Sequence, residues 1–336
     1  MLASPVSVFS TCPESRAAGP AAYARLVAEV SRWSEEVGCE GMLIYTENGL
    51  VDPWLTAQLA VLATDRLEPL IAVQPVYMHP YTVAKLVATL AYLHGRRTQL
   101  NLVAGGFTND LRALGHELEH DARYARLLDY GQIVMGLVAG APPITRTTGS
   151  YRVRELRLQP AVPAELQPRL MLSGSSEAGL ATARALGATA VRYPRPAEEE
   201  EPLAAATDIR QGIRLGIIVR DDAGEAWRVA HERFPDDRGG QITHRLAMSA
   251  SDSRWHRQLS RLALDTEARE RPYWLRPFQN YSTFCPYLVG DQETVAGELA
   301  AYLRRGVDTV ILDIPQSRED LELSMSVIDA AAGAVT

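Results

Sequence analysis

Apolar residues fall along this chain in two alternating rhythms. Short, mostly apolar runs at 6–9, 41–45, 69–74 and 99–104 are separated by longer stretches in which apolar positions recur every three or four residues. A solid run of this length fits a strand buried on both faces, and the wider spacing fits a helix with one apolar stripe. The first stripe, over 21–37, is made by Tyr23, Leu26, Val27, Val30, Trp33 and Val37, and Gly38 ends it. A second helix spans 54–63, and a third sets Val83, Leu86, Val87 and Leu90 on one face. Further runs at 169–173, 188–193, 214–219 and 309–313 bring the strands to eight.

The joints between helix and strand share a local grammar. Gly38-Cys39-Glu40, Gly187-Ala188-Thr189 and Gly306-Val307-Asp308 each place a helix-ending glycine directly before a strand. Repeated units of this kind predict an α/β fold, a single (β/α)8 TIM barrel, and a barrel of 336 residues is admissible as one domain. Two segments break the rhythm. Residues 140–166 hold turn formers and the alternating Tyr151, Val153, Leu156 and Leu158, which reads as an insertion of extended structure. Residues 235–272, after the helix that follows strand seven, are polar and irregular in pattern and are expected to form an active-site lid, poorly ordered without ligand. The acidic run 198–201, between Pro196 and Pro202, is expected to be a solvated loop.

Composition narrows the function classes. With 46% hydrophobic and 22% charged residues the chain has material for a large core. A net charge of -7, without a basic stripe interleaved with aromatics, lacks the electrostatic footprint of nucleic-acid binding. The cysteines Cys12, Cys39 and Cys285 are scattered and odd in number, which fits a reducing compartment. No basic and apolar leader opens the sequence and no run of about 18 apolar residues occurs. The protein is expected in the cytoplasm, neither secreted nor membrane-bound.

In a barrel of this class the chemistry lies just beyond the carboxyl ends of the strands. After strand four, Gly105 and Gly106 let the backbone pass closely under a flat ligand, and His120 and Tyr124, four residues apart, share a helix face as an anion grip. After strand five, Ser173, Gly174, Ser175 and Ser176 open a helix and offer hydroxyls, backbone N–H groups and a helix dipole to a phosphate; an ordinary serine cap is the plainer alternative. His116 and His120 stand at a spacing zinc could use but have no recognisable third ligand, so no metal is assigned.

The blocks LIYTENGLVDPW (43–54), AVQP (72–75), QLNLVAGG (99–106), HDARY (120–124), LMLSGSS (170–176), IRLGIIVRDDAGEAW (213–227) and LVGDQETVA (288–296) give the chain a wider identity. In this order the sequence resembles the flavin-dependent monooxygenases of the bacterial luciferase superfamily, alkanesulfonate monooxygenase branch. The resemblance implies FMN, taken up as FMNH2 from a separate flavin reductase, and dioxygen as co-substrate, through a flavin peroxide. It implies that His120, Tyr124, Ser175 and Ser176 hold the FMN phosphate, with Gly174 beside them in the cofactor site, and that Thr46, Gln74, Asn101 and Ala104 line the ring. It also implies a homodimer or homotetramer. Arg214 matches the arginine that begins strand seven in that branch and is the catalytic candidate, stabilising charge on the peroxide or the substrate; a salt bridge to a barrel carboxylate is the alternative.

Departures from the branch bear on substrate. Its histidine two residues after the arginine is Gly216 here, its tyrosine after strand eight is Ile314, its histidine near strand one is replaced around Cys12 and Pro13, and its loop cysteine is Leu50. Gly216 would leave open space beside Arg214. Cys12, Tyr77, Tyr193, Gly216 and Ile314 are taken as substrate-binding, with Met78, Tyr273, Trp274, Phe278, Tyr281 and Phe284 as further aromatic or apolar surface. A small organic substrate that is not a simple alkanesulfonate, as in specialised metabolism, follows. Two competing readings are a deazaflavin-dependent oxidoreductase of the same superfamily and a flavin-binding partner protein without activity.

Overall fold

The structure is a computed structural model that describes residues 6–140, 142–200, 208–249, 259–260, 262 and 271–335. Strands β1 (Ser7–Thr11), β2 (Gly41–Ile44), β3 (Glu68–Val73) and β4 (Gln99–Val103) alternate with helices α1 (Pro20–Glu36), α2 (Pro53–Ala63) and α3 (Pro80–His94). Helices α4 (Thr108–Ala113) and α5 (His120–Val138) lead to a two-stranded antiparallel hairpin, β5 (Ile144–Thr147) and β6 (Arg152–Leu156), within the stretch read as extended. Then come β7 (Leu170–Ser173), α6 (Glu177–Leu186), β8 (Thr189–Arg192), β9 (Gln211–Arg220), α7 (Ala223–Arg233) and α8 (Arg238–Ser249). The chain ends with β10 (Tyr273–Trp274), α9 (Arg276–Gln279), β11 (Tyr287–Asp291), α10 (Gln292–Arg304), β12 (Val307–Leu312) and α11 (Arg318–Gly333).

Eight parallel strands close into a barrel in the order β9, β12, β1, β2, β3, β4, β7, β8, with β8 pairing back to β9 and helices around the outside. Every residue of β2 is buried, as are all but one of β3 and of β9, which is why these strands read as solid apolar runs rather than alternating ones. The joint glycines act as the sequence suggests: Gly38, Gly187 and Gly306 take φ of 92°, 62° and 91°, a conformation that ends a helix at no steric cost.

By its contacts the chain divides into two compact units, one of Met1–Thr11, Glu36–Cys39 and Val191–Thr336, the other of Cys12–Glu35 and Glu40–Ala190. In the second, Gln99 donates from Nε2 to Glu40 (2.9 Å) and Glu68 (2.6 Å), so three adjacent strands are tied by one side chain. In the first, β9 runs three residues further toward its start than the sequence reading and is ten residues long. Its first half pairs with β12 and its second half with β11, a strand the periodicity did not reveal.

Two expectations change. The start of the irregular segment is helical: α8 carries a buried His244 on its inner face, with Gln241 N–H bonded to Asp237 O (3.0 Å) at its start. The rest of the expected lid, 250–258, 261 and 263–270, lies outside the described residues. The acidic run is not simply solvated, because Glu200 is 8% exposed and accepts from Arg192 Nε (2.8 Å) and the Arg195 backbone (2.6 Å); Glu201 lies outside the described residues.

Candidate active site

In the unit that holds β2 to β7, the loops after β2 and β3 enclose a cleft of ≈ 530 Å³. Thr46, Gln74, Tyr77, Met78, Leu50 and Trp54 are among its walls, so three sequence candidates are brought together here. Gln74 reaches across to the Thr46 carbonyl (Nε2 to O 3.5 Å), and the Tyr77 hydroxyl donates to Asn48 Oδ1 (2.7 Å). Burial, with the Asp110 charge as a lesser cause, pushes the Tyr77 phenol up to about 12, so it acts as a neutral donor. Gly105 earns its place beside this wall: at φ 92°, a Cβ there would stand 3.2 Å from Gln74 Oε1 and 3.0 Å from Leu111.

Of the residues expected to grip an anion, Tyr124 meets Gly174 and His120 adjoins Tyr124. His120 opens α5, and its ring lies 5.1 Å from that of Tyr124. The Tyr124 hydroxyl presses on Gly174, where a Cβ would sit 2.3 Å from it, so only glycine lets the α5 side chain meet the loop that opens α6. Ser176 is the α6 cap, its Oγ accepting from Gly179 N–H (3.1 Å), which is the plainer alternative realised. Ser175 is half-buried beside it. His120 Nδ1 is 2.6 Å from Asp121 Oδ1. Asn101, on the barrel-facing side of β4, accepts from the Ser173 hydroxyl (2.9 Å), and Ala104 follows the strand end half-buried. His116 is held by Arg126 (Nη1 to Nε2 2.8 Å), and the described residues contain no group of three or more His, Cys, Asp or Glu able to hold a metal.

In the other unit Arg214 is not an isolated cation. Its Nη2 pairs with Asp313 Oδ1 (3.2 Å), its Nη1 donates to the Tyr193 hydroxyl (3.1 Å), and its guanidinium stands 5.7 Å from the Tyr193 ring centre. Asp313 also accepts from the Tyr287 hydroxyl (2.8 Å) through Oδ2. Burial, reinforced by the Asp313 charge, pushes the Tyr287 phenol well above its ordinary range, so it remains a donor. Burial does the same to Tyr193, with the Cys285 thiol and Asp313 adding to it.

The open space expected at Gly216 is filled. A Cβ there would lie 2.2 Å from the Tyr287 ring, so the absence of a side chain makes room for a tyrosine rather than for a ligand. Gly216, Tyr287, Asp313 and Ile314 line one small crevice. Cys12 is 1% exposed and its thiol is pushed up to about 12 by burial, so it packs in the interior and does not line the cleft. Two residues of the expected aromatic surface pack internally: Trp274 meets Trp227 (5.6 Å) and Phe234 (6.1 Å), and Phe278 is fully buried against His244 (4.6 Å).

Asp313 and Tyr287 are the participants that sequence reasoning missed. Asp313, a lone carboxylate ending an apolar strand, was the available signal for the first. Nothing local pointed to the second, whose place depends on the pairing of β11 with β9.

Comparison with known proteins adds the following. A model of the luciferase-like monooxygenase family matches residues 5–309. The 4-(gamma-L-glutamylamino)butanoyl-[BtrI acyl-carrier protein] monooxygenase BtrO of Niallia circulans is 34% identical over 297 residues, 87% of each chain. Among solved structures, EDTA monooxygenase EmoA from Chelativorans sp. BNC1 superposes with a TM-score of 0.74 at 16% identity, covering 98% of this chain and 93% of its own. An F420-dependent secondary alcohol dehydrogenase gives 0.65 at 14% identity, covering 97% and 99%. At such identities the two structures speak to the fold.

Proposed function

We propose, for a chain that belongs to the luciferase-like monooxygenase family, that it oxygenates an acyl group carried as a thioester on an acyl-carrier protein, using dioxygen and reduced FMN from a separate reductase. The observation that carries the cofactor reading is the meeting of Tyr124 with Gly174. It sets the first turns of α5 against the start of α6, where backbone N–H groups and helix dipoles favour a phosphate. These residues fit a flavin phosphate: the cradle is one that a Cβ would fill, and Ser175 lies half-buried between Gly174 and the α6 cap. The cleft also fits, since its ≈ 530 Å³ falls among the volumes of cofactor sites.

Reduced FMN, when bound, supplies the electrons that activate dioxygen. The chain does the rest. His120, Tyr124 and Ser175 would hold the phosphate. Thr46, Gln74, Asn101 and Ala104 would seat the ring, and Leu50, Trp54 and Met78 give the cleft part of its apolar wall. Arg214, oriented by Asp313, would stabilise developing negative charge; a guanidinium already neutralised by a carboxylate is poorly suited to hold a sulfonate. The substrate class comes from the likeness to BtrO, along almost the whole chain.

The test supplies purified protein with FMN and a flavin reductase, under air, and offers 4-(gamma-L-glutamylamino)butanoyl thioester on the BtrI carrier protein. Substrate-dependent oxygen uptake and a product one oxygen heavier are expected. Turnover supported by reduced F420 without oxygen would replace this reading with the deazaflavin one.

A further inference from the structure

The β5–β6 hairpin has no role in the site above, yet its charge opposes that of the chain. Residues 142–162 hold four arginines against one glutamate in a protein of net charge -7. Alternation along β6 sets Arg152 and Arg154 opposite Val153, and Arg157 follows beyond the strand's end. Tyr151, Val153 and Leu158 turn inward and are buried, whereas Arg152, Arg154 and Arg157 are exposed. Arg146 is committed to Asp129 (3.3 Å), but none of the other three pairs with a carboxylate among the described residues. The face is also held firmly. Tyr151 packs on Tyr130 and His79 with ring centres 5.9 Å apart in each case, and Lys85 donates to the Gln159 carbonyl. Arg126 joins the hairpin to the cleft by donating to the Tyr151 hydroxyl (3.1 Å) and to the Pro75 carbonyl (2.8 Å), at the head of the loop whose Tyr77 and Met78 are cleft walls.

We infer that the outer face of β6, with Arg152 and Arg154, together with Arg157 just beyond its end, is the docking surface for an acidic acyl-carrier protein. The inference rests on the carrier-tethered substrate proposed above and adds the place of contact. Carrier proteins are acidic. Arginines without an internal partner keep their charge for such a surface, offer paired N–H groups to carboxylates, and set the rate and salt dependence of encounter. A free metabolite would need no such face at the side of its cleft.

The experiment measures binding of the loaded BtrI carrier protein to the full-length enzyme at low and high salt. It compares the wild type, a variant with Arg152→Glu, Arg154→Glu and Arg157→Glu together, and a variant with lysine at the same three positions. The glutamate variant is expected to bind about ten-fold or more weakly and to lose the salt dependence, while the lysine variant binds near normally. Both should turn over the corresponding pantetheine thioester as the wild type does. Equal binding by all three proteins, or equal loss in both variants, overturns the docking surface and leaves the carrier reading standing. A wild type that does not bind the carrier at all overturns both. Loss of reductase-driven turnover of the pantetheine thioester in the glutamate variant, with carrier binding intact, assigns the face to the reductase instead and overturns the inference.

Discussion

At the scale of single residues, the departure from the branch pattern at Gly216 is taken up by the Tyr287 ring. Because a Cβ at 216 would stand 2.2 Å from the ring, Gly216→Ala is expected to cost about 1–3 kcal/mol through overpacking, read as a lower urea midpoint. Combined with Tyr287→Ala it should cost clearly less than the two changes summed, since the methyl then has no ring to oppose. Strict additivity would mean that the ring moves aside. Asp313 makes a second prediction. Its removal in Asp313→Ala strands a 6%-exposed guanidinium without its carboxylate, a change that typically costs about 3–5 kcal/mol. Stability therefore has to be measured beside turnover for any variant of the Arg214–Asp313 pair. The filling of the space at Gly216 was not legible in the sequence, because a glycine announces only missing volume and says nothing of what fills it, whereas a barrel carboxylate as the partner of Arg214 was among the readings the sequence allowed.

At the scale of elements, the cradle between α5 and α6 carries the cofactor prediction. Gly174→Ala drives a methyl into the Tyr124 hydroxyl, 2.3 Å away, and should displace it from the loop. Losing one charge-assisted hydrogen bond corresponds to roughly ten- to a hundred-fold in FMN affinity, measured by quenching of flavin fluorescence. Riboflavin, which has no phosphate, should be affected far less; an equal loss would remove the phosphate from this cradle. These elements could be read in advance because their signals are local. A serine cap, an i,i+4 pair and a glycine before a strand each act within a few residues. Where stability comes from distant partners the reading failed. The start of α8 looks irregular until His244 packs against Phe278, β11 is a strand because β9 is long enough to receive it, and Glu200 is buried because Arg192 awaits it.

At the scale of the whole molecule, eight strands were countable from the sequence because each is buried on both faces, whereas the division into two compact units left no mark in composition. Each unit nonetheless contains a histidine held neutral, and this gives a prediction for the protein as a whole. His116 has its pKa lowered by burial and then by the Arg126 charge. His244 is lowered by burial and then by Arg245, against a smaller opposing hydrogen bond at Phe278. A base whose folded-state pKa lies below its unfolded value binds protons more tightly when unfolded. Its contribution to stability is thus complete above about 6.5, the ordinary histidine value, and is lost as pH falls through and below it. Glu68 and Glu298 are raised by burial and pull the other way as they titrate, so the wild-type slope alone does not isolate the histidines. The difference between proteins does. Between about pH 7 and pH 5 the thermal midpoint of the wild type should fall relative to that of a His116→Gln, His244→Gln protein, whose glutamines take up no proton. Parallel midpoint curves across that range would show that neither histidine is held neutral in the fold.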